Sequence, residues 1–297
     1  MDWVLAIRTP LLTPFFQNVT WLGYGDFLFL FIPFCYWFCE REYYNVFPQF
    51  VFISAVINSF SKSLFQDPRP DNYLNIDPWL DTLDPSFGFP SGHAQLAVII
   101  WGFIFLRSNN FYIKIISLFL LLTISFSRIY LGVHDISDVI GGMIIGILSL
   151  IFLELILRKK IAYLNRVNIE NIGIIYLFSF LILLFFWPNE NNGVLIGLGS
   201  LIIGFWLGKL IDQKYFKFDN SINLLPRIVS AIIALIGFIV LNNLIDRFII
   251  QILNNHYLEI AIPSLILGLY ISLISLIILK YLKLQKSENY TFIFFLT

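Results

Sequence analysis

Two of the chain's three histidines, His93 and His134, are candidates for acid, base or nucleophilic catalysis. Asp138 follows His134 by four residues, a spacing that places both side chains on one face of a helix. The carboxylate can then accept a hydrogen bond from one ring nitrogen and fix the tautomer, which leaves the other nitrogen as a nucleophile. His93 is left to act as the general acid that protonates a leaving group.

Three cationic side chains, those of Lys62, Arg69 and Arg128, stand at the ends of strongly apolar segments. Charges within or beside a membrane span are costly, and they are normally retained for a function. The planar fork of arginine suits phosphate oxygens, and lysine adds a compact charge. Three cations that converge on one pocket therefore predict a multiply charged anion, and we expect them to neutralise it without a metal cofactor.

The tripeptide Ser91-Gly92-His93 is expected to begin a helix. The start of a helix presents free backbone N–H groups and the positive end of its dipole, both of which favour phosphate. Gly92 would let that backbone approach the anion without an intervening side chain. The sequence thus predicts a phosphate site built from Lys62, Arg69, Ser91, Gly92 and Arg128.

The composition indicates the elements that must position these groups. Apolar residues make up 58% of the 297-residue chain and charged residues only 13%, whereas soluble domains carry about 25% charged residues. This predicts an integral membrane protein, and the net charge of zero gives no indication of a nucleic-acid partner. We predict an all-α, polytopic bundle of about nine spans. They cover residues 25–40, 45–65, 93–107, 111–131, 138–157, 171–187, 193–211, 227–245 and 257–282.

A long polar loop interrupts the predicted bundle. Residues 66–92 contain five aspartates and five prolines, and loops of this length in a compact protein are usually functional. Residues 1–20 are predicted to form an amphipathic segment at the membrane interface. We expect residues 1–160 to form the core that carries the chemistry, and residues 161–297 to form an additional helical region of unknown role.

The distribution of lysine and arginine predicts the orientation of the chain. If the predicted spans alternate in direction, 14 of the 19 basic residues fall on one side and five on the other. The richer side should be cytoplasmic. The candidate site and the loop of residues 66–92 would then face the extracytoplasmic or periplasmic side of the plasma (inner) membrane.

Each feature has a simpler explanation when it is taken alone. A single histidine at the end of a span is more often interfacial than catalytic. Lys62 can extend from a helix end to the interface, and Asp138 can cap the fifth span. The functional interpretation depends on all the pieces occurring in order, at fixed spacing, on one membrane face.

The three clusters resemble the signature of the type 2 phosphatidic acid phosphatase and vanadium haloperoxidase superfamily. The sequence contains K-x6-R-P from Lys62 to Pro70, P-S-G-H from Pro90 to His93, and S-R-x5-H-x3-D from Ser127 to Asp138, without a mismatch. The resemblance covers roughly residues 20–160. It implies a helical core with the site at the membrane surface, and metal-independent hydrolysis. It also implies phosphate binding by Lys62, Arg69, Ser91, Gly92 and Arg128, acid catalysis by His93, and a nucleophilic His134 supported by Asp138.

The layout departs from the six-span lipid phosphatases of that family. Their first motif follows the third span, whereas here it follows the second, and four predicted spans follow the core. Such a nine-span layout resembles the glucose-6-phosphatase branch, which therefore remains an alternative. The extra half of the chain gives no functional indication.

The leading hypothesis is a phosphatase that acts on a membrane lipid phosphate or pyrophosphate through a phosphohistidine. Undecaprenyl pyrophosphate, phosphatidic acid, phosphatidylglycerol phosphate and a glycolipid phosphate are the candidate substrates. A sugar-phosphate phosphatase of the glucose-6-phosphatase type and a phosphotransferase with the same phosphohistidine are the main alternatives. A transport or scaffolding protein with an inactive site is disfavoured by the complete motifs. A haloperoxidase is disfavoured because we expect those enzymes to be soluble.

Overall fold

The computed structural model describes residues 2–39, 46–80, 86–158, 169–188, 192–218 and 224–285, and these form helices joined by turns and loops, without a β-strand. The prediction of an all-α helical membrane protein is confirmed. The α-helices are α1 (Trp3–Ile7), α2 (Leu12–Trp21), α3 (Gly25–Phe38), α4 (Phe47–Phe65), α5 (Gly92–Arg107), α6 (Phe111–Tyr130), α7 (Ile136–Arg158), α8 (Ile169–Phe185), α9 (Gly193–Ile211), α10 (Leu224–Leu244), α11 (His256–Leu269) and α12 (Ser275–Tyr281).

The predicted count of nine spans is not confirmed. In the described ranges, five helices are long and apolar enough to cross a membrane, and α2 with α3 makes a sixth if the bent pair is counted as one span. The helices Gly92–Arg107 and Glu170–Phe185 are apolar but shorter, and a full crossing needs about 20 residues. An apolar run in the sequence marks burial or lipid contact, but its length alone did not separate full spans from shorter helices.

One compact unit comprises residues 1–29, 53–161 and 187–189 and contains every predicted site residue. Within it, α5 packs against both α6 and α7. A Cβ atom at Gly142 would lie 2.4 Å from the Ser91 carbonyl oxygen, and one at Gly146 would lie 2.7 Å from the Gln95 carbonyl oxygen. Small residues four apart thus let the backbone of α7 approach that of α5.

Helix α2 packs along α6 and then meets α3 at a bend of 54°. The Phe15 and Phe119 ring centroids lie 6.3 Å apart, and those of Phe16 and Tyr130 lie 4.5 Å apart. Val19 is buried in a cluster with Ile124, which lies between those two residues on α6. The interfacial location of residues 1–20 stays a prediction. The structure shows that α2 contacts α6 at residues between Phe119 and Tyr130.

The loop after α4 is tied to the N-terminal helices by side-chain hydrogen bonds. The Arg8 guanidinium donates to the carbonyl oxygen of Leu74 at 2.5 Å, and the Gln17 amide donates to that of Ile76 at 2.8 Å. The Trp79 indole N–H in turn donates to the Gln17 carbonyl oxygen at 3.0 Å. The described part of this long polar segment is therefore fixed against α1 and α2.

A glycine-dependent C-terminal cap ends α6 directly before His134. The Val133 N–H donates to the Arg128 carbonyl oxygen, and the Gly132 N–H donates to that of Ile129, the pair of bonds that defines a Schellman motif. Gly132 has a φ of +76°, and a Cβ atom there would lie 2.1 Å from the Leu74 carbonyl oxygen. Both the backbone conformation and the packing therefore require glycine.

Replacing Gly132 with alanine is expected to lower the free energy of unfolding by at least about 1–2 kcal/mol, because a left-handed conformation is strained for a residue with a Cβ. The clash with the Leu74 backbone adds to that cost. The thermal unfolding temperature of the detergent-purified protein measures the effect. Gly193→Ala is the control, since its Cβ would meet its nearest neighbour at an ordinary 3.5 Å. Equal unfolding temperatures for the two variants would contradict the prediction.

The second unit comprises residues 30–52, 162–186 and 190–297. In it, α9 packs closely against α11, where a Cβ atom at Gly204 would lie 2.1 Å from the Leu265 carbonyl oxygen. A π-helical turn, Tyr270–Ile274, joins α11 to α12. The Ile271 carbonyl oxygen in this turn accepts hydrogen bonds from the Trp37 indole N–H at 3.1 Å and from the Ser275 hydroxyl at 3.2 Å. The division of the chain at residue 160 stays a prediction.

Candidate active site

The structure brings the predicted site residues to one end of the first unit. Lys62 lies in the last turn of α4, and Arg69 lies in the loop that follows. Ser91 directly precedes α5, and Gly92 and His93 lie in the first turn of that helix. Arg128 lies in the last turn of α6, His134 lies between α6 and α7, and Asp138 lies in the first turn of α7. Their catalytic and binding roles stay predictions, but their arrangement limits what they can do.

His134 and Asp138 form a buried pair. The imidazole Nδ1 lies 3.0 Å from the Asp138 Oδ2, and the two side chains are 2% and 0% exposed. The same oxygen accepts the backbone N–H of Asp135 at 3.1 Å, so Asp138 also caps the first turn of α7 in the manner of a capping box. Because Nδ1 is held by the carboxylate, we infer that it carries the proton and that Nε2 is the free nitrogen.

The electrostatic surroundings of His134 keep its ring neutral. Burial, and after it the charges of Arg69, Lys62 and Arg128, hold the pKa of His134 well below its usual range. A lowered pKa means that the imidazole has lost its second proton at neutral pH. A neutral Nε2 has the free electron pair that a nucleophile needs.

Arg69 is held beside this nitrogen by backbone and side-chain contacts. One of its terminal nitrogens donates to the Val133 carbonyl oxygen at 2.9 Å and lies 3.4 Å from the His134 Nε2. The other donates to the Ser86 hydroxyl at 3.0 Å. Burial, followed by the nearby Arg128 charge, lowers the pKa of Arg69 to about 10, so the guanidinium stays charged at neutral pH.

Lys62 points to the segment that precedes α5. Its ammonium group donates to the carbonyl oxygens of Phe87 and of Gly88, the latter at 3.0 Å. A Cβ atom at Gly88 would lie 3.0 Å from the Asp138 Oδ2. Since both contacts converge on Gly88, the charge of Lys62 lies close to the His134–Asp138 pair.

Arg128 is the largest fully buried side chain of the described chain, at 1% exposure. One terminal nitrogen donates to the Asp77 carboxylate at 2.6 Å and to the Thr20 hydroxyl at 2.5 Å. The Tyr24 hydroxyl donates to the same Asp77 oxygen at 2.6 Å. A buried guanidinium is tolerated only when it is paired and hydrogen-bonded, and these three residues supply that pairing.

Several buried polar atoms at the site have no hydrogen-bond partner among the described residues. They are Ser91 Oγ, His93 Nε2, Arg128 Nε and Asp138 Oδ1. A buried polar atom without a partner is costly. An anion that carries several oxygens would give partners to Ser91 Oγ and Arg128 Nε, and also to His93 Nε2 when the His93 ring is protonated. Asp138 Oδ1 is an acceptor and does not fit that explanation.

A buried amide network fixes the start of α5. The Asn58 amide donates to the Pro90 carbonyl oxygen at 3.1 Å and to the Gln95 side chain at 2.9 Å. The Ser91 N–H donates to the Asp138 carbonyl oxygen at 2.9 Å. By helix geometry the first backbone N–H groups of α5 lack partners in their own helix, so they join the cationic groups as donors for an anion.

Within the ranges that the structure describes, no three His, Cys, Asp or Glu side chains come together as possible ligands of a metal ion. Sequence reasoning did not identify the partners of Arg128. Asp77 was one of five aspartates in the polar loop, a signal that marked the loop but not the residue. Thr20 and Tyr24 gave no signal, because an isolated threonine or tyrosine has no diagnostic spacing.

Comparison with known proteins connects this geometry to a family. The sequence profile of the PAP2 superfamily matches residues 46–162. Phosphatidylglycerophosphatase B of Bacillus subtilis (strain 168) is 30% identical over 157 residues, which cover 48% of this chain and 74% of that protein. Undecaprenyl-diphosphatase of Sulfolobus acidocaldarius is 32% identical over 94 residues, 32% of this chain and 45% of that protein. A probable sphingosine-1-phosphate phosphatase of Dictyostelium discoideum is 26% identical over 276 residues, 80% of this chain and 66% of that protein.

The matched range contains the three motifs and every predicted site residue. The chain spans less than half of the Sulfolobus relative and about two thirds of the Dictyostelium relative. The three relatives are named as phosphatases, and the apolar helices embed this protein in a membrane. The chain is therefore an integral membrane phosphatase that belongs to the PAP2 superfamily.

Proposed function

We propose that the protein hydrolyses a phosphate monoester or pyrophosphate of a membrane lipid through a phosphohistidine at the Nε2 atom of His134. The observation that carries the proposal is the His134–Asp138 pair, which holds Nδ1 at 3.0 Å and leaves Nε2 3.4 Å from the Arg69 guanidinium. A neutral nucleophile beside a cation is suited to an electrophile that carries negatively charged oxygens.

The reaction proceeds in two displacements. His134 Nε2 attacks phosphorus and the bond to the leaving oxygen breaks, while His93 donates a proton from Nε2 to that oxygen. The Asp138 carboxylate stabilises the positive charge that the His134 ring then acquires. In the second displacement, water attacks the phosphohistidine, His93 accepts its proton, and inorganic phosphate leaves with the His134 nitrogen restored.

The positive charges serve the phosphoryl group in both displacements. Negative charge is spread over its three equatorial oxygens in the transition state, and cations and N–H groups aimed at those oxygens lower the barrier. Lys62, Arg69 and Arg128 supply the charges, and the Ser91 hydroxyl and the first N–H groups of α5 supply neutral donors. Arg128 Nε and Ser91 Oγ, buried without a partner among the described residues, support this assignment.

A lipid substrate is supported by the relatives and by the membrane location. Their names refer to phosphatidylglycerophosphate, undecaprenyl diphosphate and sphingosine 1-phosphate. Phosphatidylglycerol phosphate, undecaprenyl pyrophosphate and phosphatidic acid are the substrates that we put first. The uneven distribution of basic residues supports an active site on the extracytoplasmic face.

Phosphate release from a panel of substrates tests the proposal. The detergent-purified protein is given undecaprenyl pyrophosphate, phosphatidic acid, phosphatidylglycerol phosphate and glucose 6-phosphate, each with and without EDTA. We expect release from at least one lipid, and inhibition by millimolar vanadate, which mimics pentavalent phosphorus. Release from glucose 6-phosphate alone would contradict a lipid substrate, and release that EDTA abolishes would contradict the metal-free mechanism.

A further inference from the structure

We propose that residues 20–24, the break between helices α2 and α3, belong to the active site and position two of its groups, the His93 imidazole and the Arg128 guanidinium. The segment precedes residue 46, where the match to the family begins. The inference rests on the proposed function, because it takes His93 as the acid and Arg128 as a phosphate ligand. Thr20, Gly23 and Tyr24 are assigned as positioning residues that touch neither the substrate nor phosphorus.

The break is formed by a tightened end of α2. The N–H groups of Leu22, Gly23 and Tyr24 each donate to the carbonyl oxygen three residues earlier, and the chain then turns by 54° into α3. Such three-residue bonds are common where an α-helix ends. Thr20 lies in the last turn of α2, and the break places Tyr24 directly after the end of that helix.

Three residues of this segment contact the His93 imidazole. The imidazole makes a hydrogen bond to the backbone of Thr20. Because Nε2 has no partner among the described residues, the bonded atom is Nδ1. A Cβ atom at Gly23 would lie 2.4 Å from the imidazole Cδ2, and the Tyr24 ring meets the imidazole edge-on with centroids 4.5 Å apart. The ring is therefore held with Nε2 free, the atom from which an acid must donate.

Arg128 is fixed by the same segment through different atoms. Its terminal nitrogen donates to the Thr20 hydroxyl at 2.5 Å, and its guanidinium carbon lies 5.4 Å from the centroid of the Tyr24 ring. The Tyr24 hydroxyl donates to Asp77, which also accepts from Arg128. These contacts occupy one edge of the guanidinium and leave the buried Nε, which has no partner among the described residues, for an anion.

Two neighbouring glycines give a matched test of the contact with His93. Gly23→Ala places a methyl group against the imidazole, whereas Gly25→Ala meets nothing within 4 Å. Both variants are assayed on a long-chain alkyl phosphate, whose leaving group needs an acid, and on p-nitrophenyl phosphate, whose leaving group does not. We expect Gly23→Ala to lower the alkyl-to-aryl ratio of kcat/KM by about tenfold or more, because displacing a general acid removes its contribution. The Gly25→Ala ratio should equal that of the wild type.

The contact with Arg128 is tested by Thr20→Val, which removes the hydroxyl but keeps the shape and the backbone carbonyl. Vanadate binding is measured by calorimetry, which needs no turnover. We expect about tenfold weaker binding, since a hydrogen bond to a charged group is lost, and recovery in Thr20→Ser. The alkyl-to-aryl ratio should stay at the wild-type value. Thr123→Val is the control, because the Thr123 hydroxyl donates to the Phe119 carbonyl oxygen of its own helix at 2.7 Å.

The outcomes separate this inference from the proposed function. An unchanged alkyl-to-aryl ratio in Gly23→Ala, whether both activities fall or neither does, overturns the role toward His93. Wild-type vanadate binding in Thr20→Val overturns the role toward Arg128. If these variants behave like the wild type while His134→Ala is inactive, the proposed function stands and only the inference fails. If the wild-type protein releases no phosphate, the proposed function fails, and vanadate binding by Thr20→Val still decides the contact with Arg128.

Discussion

Alanine in place of His134 is expected to reduce phosphate release by at least about 10⁴-fold, because without the imidazole no covalent intermediate forms. The fold should survive. His134 makes one side-chain hydrogen bond within its own turn, to Asp138, and Asp138 retains its bond to the Asp135 backbone. Initial rates on the best lipid of the panel, with thermal unfolding as a check on folding, measure the effect.

The third histidine of the chain supplies the control for this substitution. His256 begins α11 in the second unit, and its ring is tilted against that of its neighbour Tyr257, with the ring centroids 5.9 Å apart. His256→Ala should therefore keep wild-type turnover. Residual turnover of His134→Ala within about tenfold of the wild type would rule out His134 as the nucleophile.

Loss of His93 is expected to depend on the leaving group. His93→Ala should slow hydrolysis of alkyl phosphates by about 10²–10⁴-fold, the usual contribution of a general acid. Hydrolysis of p-nitrophenyl phosphate should fall by less than about tenfold, because that leaving group departs without a proton. Single-turnover rates on both esters, at a fixed pH, give the comparison.

His93→Gln serves as the matched variant for this prediction. It keeps a polar side chain of similar reach that cannot donate a proton as an acid does. The two variants should show the same dependence on the leaving group. Equal losses on both esters would assign His93 to phosphate binding, and would leave the identity of the acid open.

The candidate site residues were predictable from the sequence because their types are rare in an apolar chain. The surrounding segments are rich in leucine, isoleucine and phenylalanine, which makes Lys62, Arg69, Arg128 and the two histidines easy to recognise. A charge within or beside a membrane span is costly, so it is normally retained for a function. The spacing of His134 and Asp138 indicated their pairing. It forms although α7 begins only at Ile136, because Asp138 reaches back from the first turn.

The residues that hold the site in place were not predictable in the same way. Asp77 pairs with Arg128 across 51 residues of sequence, and Thr20 reaches the same side chain across 108. Such contacts depend on the path of a loop and on the angle at which α2 meets α3, and neither is encoded by a local period. The span count was not confirmed for a related reason, since hydropathy does not distinguish a short apolar helix from one that crosses the membrane.

The stereochemical course at phosphorus distinguishes a phosphohistidine intermediate from direct attack by water on the substrate. The substrate is a lipid thiophosphate monoester made chiral with oxygen isotopes, and it is hydrolysed in water that carries the third isotope. Two successive in-line displacements, first by His134 and then by water, invert the configuration twice. The account therefore predicts overall retention. Overall inversion would show that water attacks the substrate directly, and would contradict a phosphohistidine intermediate.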